Sequence, residues 1–183
     1  AVPLVTRQED EFRMRADALE AAITPRTKGF LINSPTNPTG GVAARKRLEA
    51  LASIAQRHDL WVISDEVYRE LVYDGEAADS IAALPGMQER TIIVNSFSKA
   101  YAMTGWRVGY ALGPQSVIGN MVKLQENVAA CVNSSAQYGA LAALLGPQDG
   151  KNEMLRAYAA RRTVLLEELS KIPGLTASAP QGT

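Results

Sequence analysis

The sequence predicts an α/β domain, in which a mostly parallel β-sheet is flanked by helices and one strand runs antiparallel. Short apolar segments alternate along the chain with longer segments in which apolar residues recur at helical spacing. The short segments are apolar throughout, which is typical of strands that are covered on both faces of the sheet. The link over residues 98–107 is too short for a helical crossover, so the strand after it is expected to run antiparallel.

The bulk composition indicates a single globular domain with its own hydrophobic core. Of the 183 residues, 46% are hydrophobic and 21% are charged, which is ordinary for a folded domain of this length. Lysine and arginine total 19, as do aspartate and glutamate, so the formal net charge is zero. We therefore expect no nucleic-acid partner, because no long-range field would attract one. No apolar stretch approaches the roughly 20 residues that span a bilayer, so we expect no membrane partner either.

The cysteine and histidine content argues against a disulfide framework and against a metal site. Cys131 is the single cysteine, which favours a cytoplasmic setting. It lies in an apolar stretch over residues 128–132, so we expect a buried small side chain, and Trp61 is likewise expected in the core. His58 is the single histidine and is predicted to end a helix, which leaves no histidine pair for a metal.

The first half of the chain predicts two helices, two strands and an irregular loop. The loop over residues 34–41 contains two prolines and two glycines, which exclude regular structure. Helical spacing of apolar residues defines the helices, and short apolar or β-branched runs define the strands. In chain order we expect a helix over 17–23, a strand over 28–33, the loop, a helix over 43–58 and a strand over 60–63.

The second half predicts two further strands followed by three helices. The first of these helices begins near Pro114, a residue that suits the first turn of a helix. Pro173 and Gly174 follow the last helix and mark a candidate linker. The predicted elements are strands over 91–95 and 108–112, then helices over 114–128, 136–145 and 149–172.

Polar side chains follow several of the predicted strands at the point where each strand ends. Asn37, Asp65 and Ser96 each come shortly after a strand, and Lys99 lies three residues beyond Ser96. In an open parallel sheet, ligands bind outside the carboxyl ends of the strands. We therefore expect these residues to converge although they are far apart in sequence.

Three segments carry a resemblance to a known family. Residues 96–110 read SFSKAYAMTGWRVGY, residues 33–40 read NSPTNPTG and residues 63–68 read ISDEVY. In this order they resemble the class I and II aminotransferases, which are fold-type I pyridoxal-phosphate enzymes. The resemblance implies pyridoxal 5′-phosphate as the cofactor and an incomplete cofactor-binding large domain as the fold.

The resemblance implies chemical roles for Lys99 and Asp65. Lys99 would form a Schiff base with the cofactor aldehyde, which requires a neutral amine. Once released by substrate, the same amine would move a proton between the substrate α-carbon and the cofactor. Asp65 would lie beside the pyridine nitrogen, where a carboxylate stabilises the protonated, electron-withdrawing ring.

Four further residues would bind the cofactor, by the same resemblance. Asn37 and Tyr68 would both hydrogen-bond the phenolic oxygen of the ring, a charged acceptor whose stabilisation tunes the protonation of the imine. Ser96 and Arg107 would bind the phosphate, where the planar guanidinium offers two parallel hydrogen bonds that lysine cannot reproduce. With Lys99, Asp65 and Tyr68 as the catalytic residues, the predicted site contains six residues in all.

Taken singly, the same residues suit ordinary structural roles. Asp65 or Ser96 could cap a helix, and Asn37 could be a turn residue. Arg107 could be a surface ion-pair partner and Tyr68 a core aromatic with its hydroxyl at the rim. Only their joint occurrence in the family's order favours a site.

The resemblance also implies that the chain corresponds to the middle of a longer polypeptide. Residues 1–158 would belong to the large domain, and residues 159–183 to the end of the interdomain helix and the start of a small domain. We expect this stretch alone to be inactive and less stable than the whole enzyme, which the resemblance implies is a homodimer.

The predicted activity is transfer of an amino group between an amino acid and a 2-oxo acid, as in aspartate aminotransferases. Two alternatives remain open at this point. A lyase or synthase of the same fold type would share the cofactor attachment, because substrate contacts choose which bond breaks. An aminotransferase-like sensor domain of a transcription regulator would bind the cofactor without turnover.

Overall fold

Four strands form one sheet in the computed structural model, which describes residues 1–75 and 78–183. The strand order is β1-β2-β3-β4; the first two pairings are parallel and the pairing of β3 with β4 is antiparallel. Both the α/β class and the antiparallel strand predicted from the sequence are confirmed. The strands are β1 (Gly29–Asn33), β2 (Trp61–Asp65), β3 (Thr91–Ser96) and β4 (Gly109–Leu112).

Each predicted helix is present, with ends that differ by a few residues. The helix after residue 130 begins at Ser134, earlier than predicted, because the side chain of Asn133 accepts a hydrogen bond from the Ala136 N–H and caps it. The last helix ends at Ser170, shortly before Pro173 and Gly174. The helices are α1 (Ala16–Ala22), α2 (Arg45–Arg57), α3 (Gln115–Ala129), α4 (Ser134–Leu145) and α5 (Asp149–Ser170).

The larger hydrophobic core lies between the sheet and α2. The apolar residues of α2 recur at helical spacing, and Leu51 and Ala55 on its inner face are completely buried, as is Val62 of β2. This periodicity is the reason that the segment forms a helix in this position. The core comprises Leu19, Ile32, Ala43, Leu48, Leu51, Ala52, Ile54, Ala55, Leu60, Val62, Ile81, Leu84 and Met87.

A smaller core fixes the turn between β3 and β4 against α4. Phe97 is its central residue; its ring centroid lies 5.5 Å from that of Tyr101 and 5.8 Å from that of Tyr110. These contacts anchor the chain on both sides of Lys99. The cluster comprises Phe97, Met103, Val108, Ala136 and Ala140.

One face of the sheet is not covered by the described residues, so the prediction of cover on both faces is wrong for this chain. Side chains alternate between the two faces of a strand, and α2 covers the face of Ile32 and Val62. On the other face Leu31, Trp61 and Ile63 are exposed, and Trp61 retains 40% of its accessible surface. The expectation that Trp61 lies in the core is therefore also wrong. An apolar strand shows that its side chains prefer burial, but it does not show that the described residues cover them.

The prediction that Cys131 is buried is wrong as well. Cys131 is exposed, and it follows α3, a helix with no buried residue. Val128, in the same apolar stretch, is 76% exposed. The composition of the stretch predicts burial, but α3 has no packing partner among the described residues that would cover it.

Deletion of a core side chain tests this packing. We expect Leu51→Ala to lower the free energy of unfolding by about 3 kcal/mol, because the cavity cannot be filled by the surrounding core. The matched control is Leu124→Ala in α3, whose side chain is 65% exposed and whose loss should cost less than about 0.5 kcal/mol. Denaturant unfolding measures both, and equal losses would contradict the position of the core.

Candidate functional site

The carboxyl ends of the parallel strands are in register. Asn33 pairs with Asp65, and Asp65 pairs with Val94, so the three strands end at one edge of the sheet. Asp65 and Ser96 lie on the same face of neighbouring strands, because Ser96 is two residues beyond Val94. The structure thus places the predicted residues at one edge, as expected from the topology.

Asn37 and Tyr68 are in direct contact. The side-chain amide of Asn37 donates a hydrogen bond of 2.9 Å to the Tyr68 hydroxyl. The loop that carries Asn37 is tied to the end of β1, since the Asn37 N–H donates to the Asn33 side chain at 3.0 Å and the Thr36 hydroxyl donates to the Asn33 carbonyl at 2.7 Å. Asn33 therefore orients Asn37, a role that the sequence analysis missed.

Lys99 lies in the turn that follows β3 and reaches the same place. Its Nζ is 5.5 Å from the centroid of the Tyr68 ring, a distance within the range of cation–π contact. The buried Phe97 fixes the turn, because its carbonyl accepts hydrogen bonds from the N–H groups of Tyr101 and Met103, both at 3.3 Å. Lys99, Tyr68 and Asn37, from three separate segments, are thus brought together.

Asp65 is half-buried and is oriented by local contacts. Its carboxylate accepts a hydrogen bond of 3.2 Å from the N–H of Val67. Its carbonyl accepts from the Ser34 N–H and from the Asn33 side chain, each at 3.2 Å. The carboxylate therefore forms a turn contact and not the helix cap of the ordinary alternative, because residues 67–70 form a turn.

Ser96 and Arg107, the two residues predicted to bind the phosphate, each form local hydrogen bonds and none with each other. The Ser96 hydroxyl accepts a hydrogen bond of 3.3 Å from the Ser98 N–H, and Ser96 pairs with Gly109 across the sheet. Arg107 is exposed, with a left-handed φ of 53°, and its guanidinium donates to the Thr104 carbonyl at 2.9 Å. Within residues 1–75 and 78–183, Arg107 forms no hydrogen bond with Ser96 and no ion pair with an acidic side chain. It instead lines a groove of about 710 Å³ that Cys131 also borders.

A buried carboxylate, missed in the sequence analysis, supports the segment that carries Tyr68. Glu66 is 2% exposed, and one oxygen accepts hydrogen bonds from the hydroxyls of Ser64 at 2.9 Å and Ser80 at 2.5 Å. Its other oxygen lies 3.8 Å from the Arg69 guanidinium. A carboxylate is rarely buried without partners. The sequence signal for this network was a glutamate at the exit of an apolar strand, two residues after a serine that could bind it.

The backbone around Glu66 forms the turn that presents Tyr68. The Glu66 N–H donates to the Val94 carbonyl of β3, and the Arg69 N–H donates to the Glu66 carbonyl, both at 2.9 Å. Arg69 is fixed in turn by its own side chain, which donates to the Ala78 carbonyl at 2.9 Å. The direction of the Tyr68 hydroxyl therefore depends on a polar network beneath it.

Charged contacts attach α5 beside the site. Lys151 forms an ion pair of 2.9 Å with Glu70, and its Nζ lies 5.7 Å from the centroid of the Tyr101 ring. Farther along α5, Arg162 forms an ion pair of 2.7 Å with Asp74. Since α5 has no buried residue, polar contacts of this kind hold it against the segment after Tyr68.

No group of histidine, cysteine, aspartate and glutamate side chains in residues 1–75 and 78–183 has the arrangement of a metal site. Across the same ranges, no helix has both the length and the apolar character needed to cross a membrane.

The fold and site define a class of protein. An α/β domain with a lysine, a carboxylate and hydrogen-bonding side chains at the carboxyl ends of parallel strands is a domain that binds a small ligand at that edge. The chain belongs to the aminotransferase class I and II family, whose model matches residues 2–183. This confirms the family resemblance, and with it the assignment of the fold to that of the fold-type I aminotransferases.

Individual relatives agree with the family. The chain is 40% identical to an aspartate aminotransferase of Musicola paradisiaca over 182 residues, which are 100% of this chain and 46% of that protein. It is 44% identical to the arginine–pyruvate transaminase AruH of Pseudomonas aeruginosa, over 99% of this chain and 46% of that protein. The crystal structure of an aromatic aminotransferase from Pyrococcus horikoshii matches with a TM-score of 0.95 at 44% identity, over 100% of this chain and 49% of that one. The chain thus spans about half the length of the relatives that it matches.

Removal of the buried carboxylate tests the network beneath Tyr68. We expect Glu66→Ala to lower the free energy of unfolding by at least about 2 kcal/mol, because two buried hydroxyls lose their acceptor. Glu66→Gln keeps one acceptor oxygen and should lose less. The control is Glu49→Ala, which removes an exposed pair of 3.3 Å with Arg45 and should change stability by about 0.5 kcal/mol or less. Similar losses for Glu66→Ala and Glu49→Ala would contradict the proposed network.

The raised pKa of Tyr110 predicts that the free energy of unfolding depends on pH. Burial, followed by the nearby Tyr101 and Glu66, raises the pKa of Tyr110 above its usual value. The stability that this residue contributes is present below the unfolded pKa of about 10 and is lost as pH rises through the higher folded pKa. In denaturant unfolding at neutral and alkaline pH, Tyr110→Phe should therefore lose less stability than the wild type. Tyr138→Phe, at a side chain 75% exposed, should behave as the wild type; equal behaviour of both variants would refute the shift.

Proposed function

We propose that the protein is a pyridoxal-phosphate-dependent aminotransferase, which transfers an amino group between an amino acid and a 2-oxo acid. The observation that carries the proposal is the contact of Lys99 with Tyr68, which is itself hydrogen-bonded to Asn37. The family to which the chain belongs depends on pyridoxal phosphate. The three residues occupy the segments by which the sequence resembles that family.

The chemistry of the gathered side chains fits this cofactor. Pyridoxal phosphate presents an aldehyde, a ring nitrogen, a phenolic oxygen and a phosphate. The chain offers an amine at Lys99, a carboxylate at Asp65, and two hydrogen-bonding groups at Asn37 and Tyr68. When bound, the cofactor supplies an electron-withdrawing ring that stabilises negative charge on the substrate α-carbon.

Lys99 would bind the cofactor covalently through Nζ and would later carry a proton on the same atom. The neutral amine would attack the aldehyde or accept the proton, and the ammonium so formed would deliver that proton. The turn after β3 suits the task, because the contacts of Phe97 fix its backbone while Lys99 itself is only partly buried. The side chain can therefore reach toward the Tyr68 ring from a rigid base.

Asp65 would stabilise a proton on the ring nitrogen; its hydrogen bond from the Val67 N–H limits the directions in which the carboxylate can point. Tyr68 would donate to the phenolic oxygen, and Asn37 would either share that acceptor or orient the Tyr68 hydroxyl through their hydrogen bond of 2.9 Å. Ser96 and Arg107 would bind the phosphate; a guanidinium can give a phosphate two parallel hydrogen bonds. The exposure of Arg107 leaves its side chain free to do so.

We propose a homodimer, because apolar side chains on α3 and α4 such as Val128 and Leu145 are 76% and 79% exposed and would be covered by a second subunit. The domain boundary near residue 158 and the cytoplasmic setting stay predictions. The relatives are named for aspartate, arginine and aromatic amino acids.

The covalent anchor is tested by visible absorbance of the full-length protein with bound cofactor. Lys99→Ala should lose the absorbance of the covalently attached cofactor and slow amino transfer by at least about 100-fold, because the proton carrier is removed. Lys46→Ala, at an exposed position of α2, should keep both. A spectrum unchanged by Lys99→Ala would refute the anchoring role.

The reaction class is decided by the products of the same protein. A panel of amino acids that includes aspartate, arginine and an aromatic residue should convert the bound pyridoxal phosphate to pyridoxamine phosphate. Release of ammonia without that conversion would instead indicate a lyase. Cofactor binding with no conversion by any amino acid would indicate a sensor domain.

A further inference from the structure

Residues 180–183, called the tail below, lie against the loop that carries Asn37. The Gly40 carbonyl accepts two hydrogen bonds, from the N–H of Gln181 at 2.9 Å and from the N–H of Gly182 at 3.0 Å. Gly40 itself has a left-handed φ of 70°, which L side chains rarely adopt. The far end of the loop is thus fixed by a segment that is remote in sequence.

The side chain of Gln181 adds a second attachment to the same loop. Its amide oxygen accepts a hydrogen bond of 3.2 Å from the Val42 N–H. The same oxygen also accepts from the guanidinium of Arg13, which is only 15% exposed. One oxygen therefore joins the loop to the tail and to the N-terminal segment.

The tail also contacts the segment that follows Tyr68. The Tyr73 N–H donates to the Gln181 carbonyl at 2.9 Å, and the Leu71 N–H donates to the Tyr68 carbonyl at 2.8 Å. Val72 and Gly182 form an isolated antiparallel bridge. The tail consequently lies between the two segments that supply the hydrogen bond from Asn37 to Tyr68.

The tail packs so closely against the Asn37 loop and the segment after Tyr68 that Gly40 and Gly182 leave no room for a side chain. A Cβ added at Gly182 would lie 2.6 Å from the Leu71 carbonyl oxygen and 3.0 Å from the Pro35 Cβ. A Cβ added at Gly40 would lie 2.3 Å from the Pro180 Cβ. Because the Leu71 carbonyl belongs to the backbone, a substitution at Gly182 must displace the tail or the segment that follows Tyr68.

We propose that Gln181 and Gly182 are positioning residues, which hold Asn37 against Tyr68 and thereby set the protonation of the cofactor's phenolic oxygen. The proposal rests on the proposed function. Asn37 is exposed, and its loop is fixed at one end by Asn33 and at the other by the tail. Release of the tail frees one end, so the amide of Asn37 no longer stays within hydrogen-bonding distance of the Tyr68 hydroxyl.

Amide hydrogen exchange in the cofactor-free, full-length protein tests the attachment. Gln181→Met has a similar length but no acceptor, and should speed exchange over residues 36–42 by about fivefold, which corresponds to the loss of one net hydrogen bond. Gln181→Glu keeps the acceptor and should exchange as the wild type does. Gly182→Ala should also speed exchange over these residues. Its control is Gly150→Ala in α5, which should not, because a Cβ added there meets nothing within 4 Å. Unchanged exchange in both Gln181→Met and Gly182→Ala would overturn the proposal.

A titration of the visible absorbance of bound cofactor separates positioning from a merely structural role. Loss of a hydrogen-bond donor makes the phenolic oxygen bind a proton more tightly. Gln181→Met should therefore raise the midpoint of the absorbance titration by about 0.5–1 pH unit. In an Asn37→Ala background, Gln181→Met should cause no further shift, because the tail acts through Asn37. An equal shift in both backgrounds would overturn the proposal. Absence of cofactor absorbance from the wild type would overturn the proposed function, while the exchange result would still decide whether the tail holds the loop.

Discussion

The parallel register of β1, β2 and β3 is the constraint on which the rest of the structure depends. Asn33, Asp65 and Val94 lie side by side in neighbouring strands, so whatever follows each strand emerges at the same edge of the sheet. A slip of one residue would turn Asp65 to the face that α2 covers. The buried residues Ile32 and Val62 prevent that slip, because it would expose them. The hydrophobic core therefore sets the position of a polar site.

Tyr68 is the residue at which the separate segments meet. Asn37 donates to its hydroxyl, Lys99 approaches its ring, and the turn beneath it is held by Glu66. Burial of the Glu66 carboxylate costs solvation energy, which its hydrogen bonds from the hydroxyls of Ser64 and Ser80 help to offset.

The residues that we propose bind the cofactor all lie within this chain, which spans about half the length of its relatives. Relatives of similar identity are named for aspartate and for arginine with pyruvate. Cofactor chemistry and substrate choice are thus separable on this fold, because substrate contacts are added to a common site. The exposed sheet face with Leu31 and Trp61, and the apolar surfaces of α3 and α4, agree with a chain that spans about half the length of its relatives.

The sequence by itself determined the elements and the identity of the candidate site. Periodicity located α2 and the strands, and three short segments identified Lys99, Asp65 and Tyr68, because these signals depend only on neighbours within a few residues. It could not predict the exposure of Trp61 and Cys131, since burial depends on whether another segment covers them. It also could not predict the supporting contacts of Asn33, Glu66, Gln181 and Gly182. The side-chain direction of Arg107 was likewise decided by the tertiary structure alone. Each of these depends on contacts between residues remote in sequence, which exist only once the sheet has fixed where each segment ends.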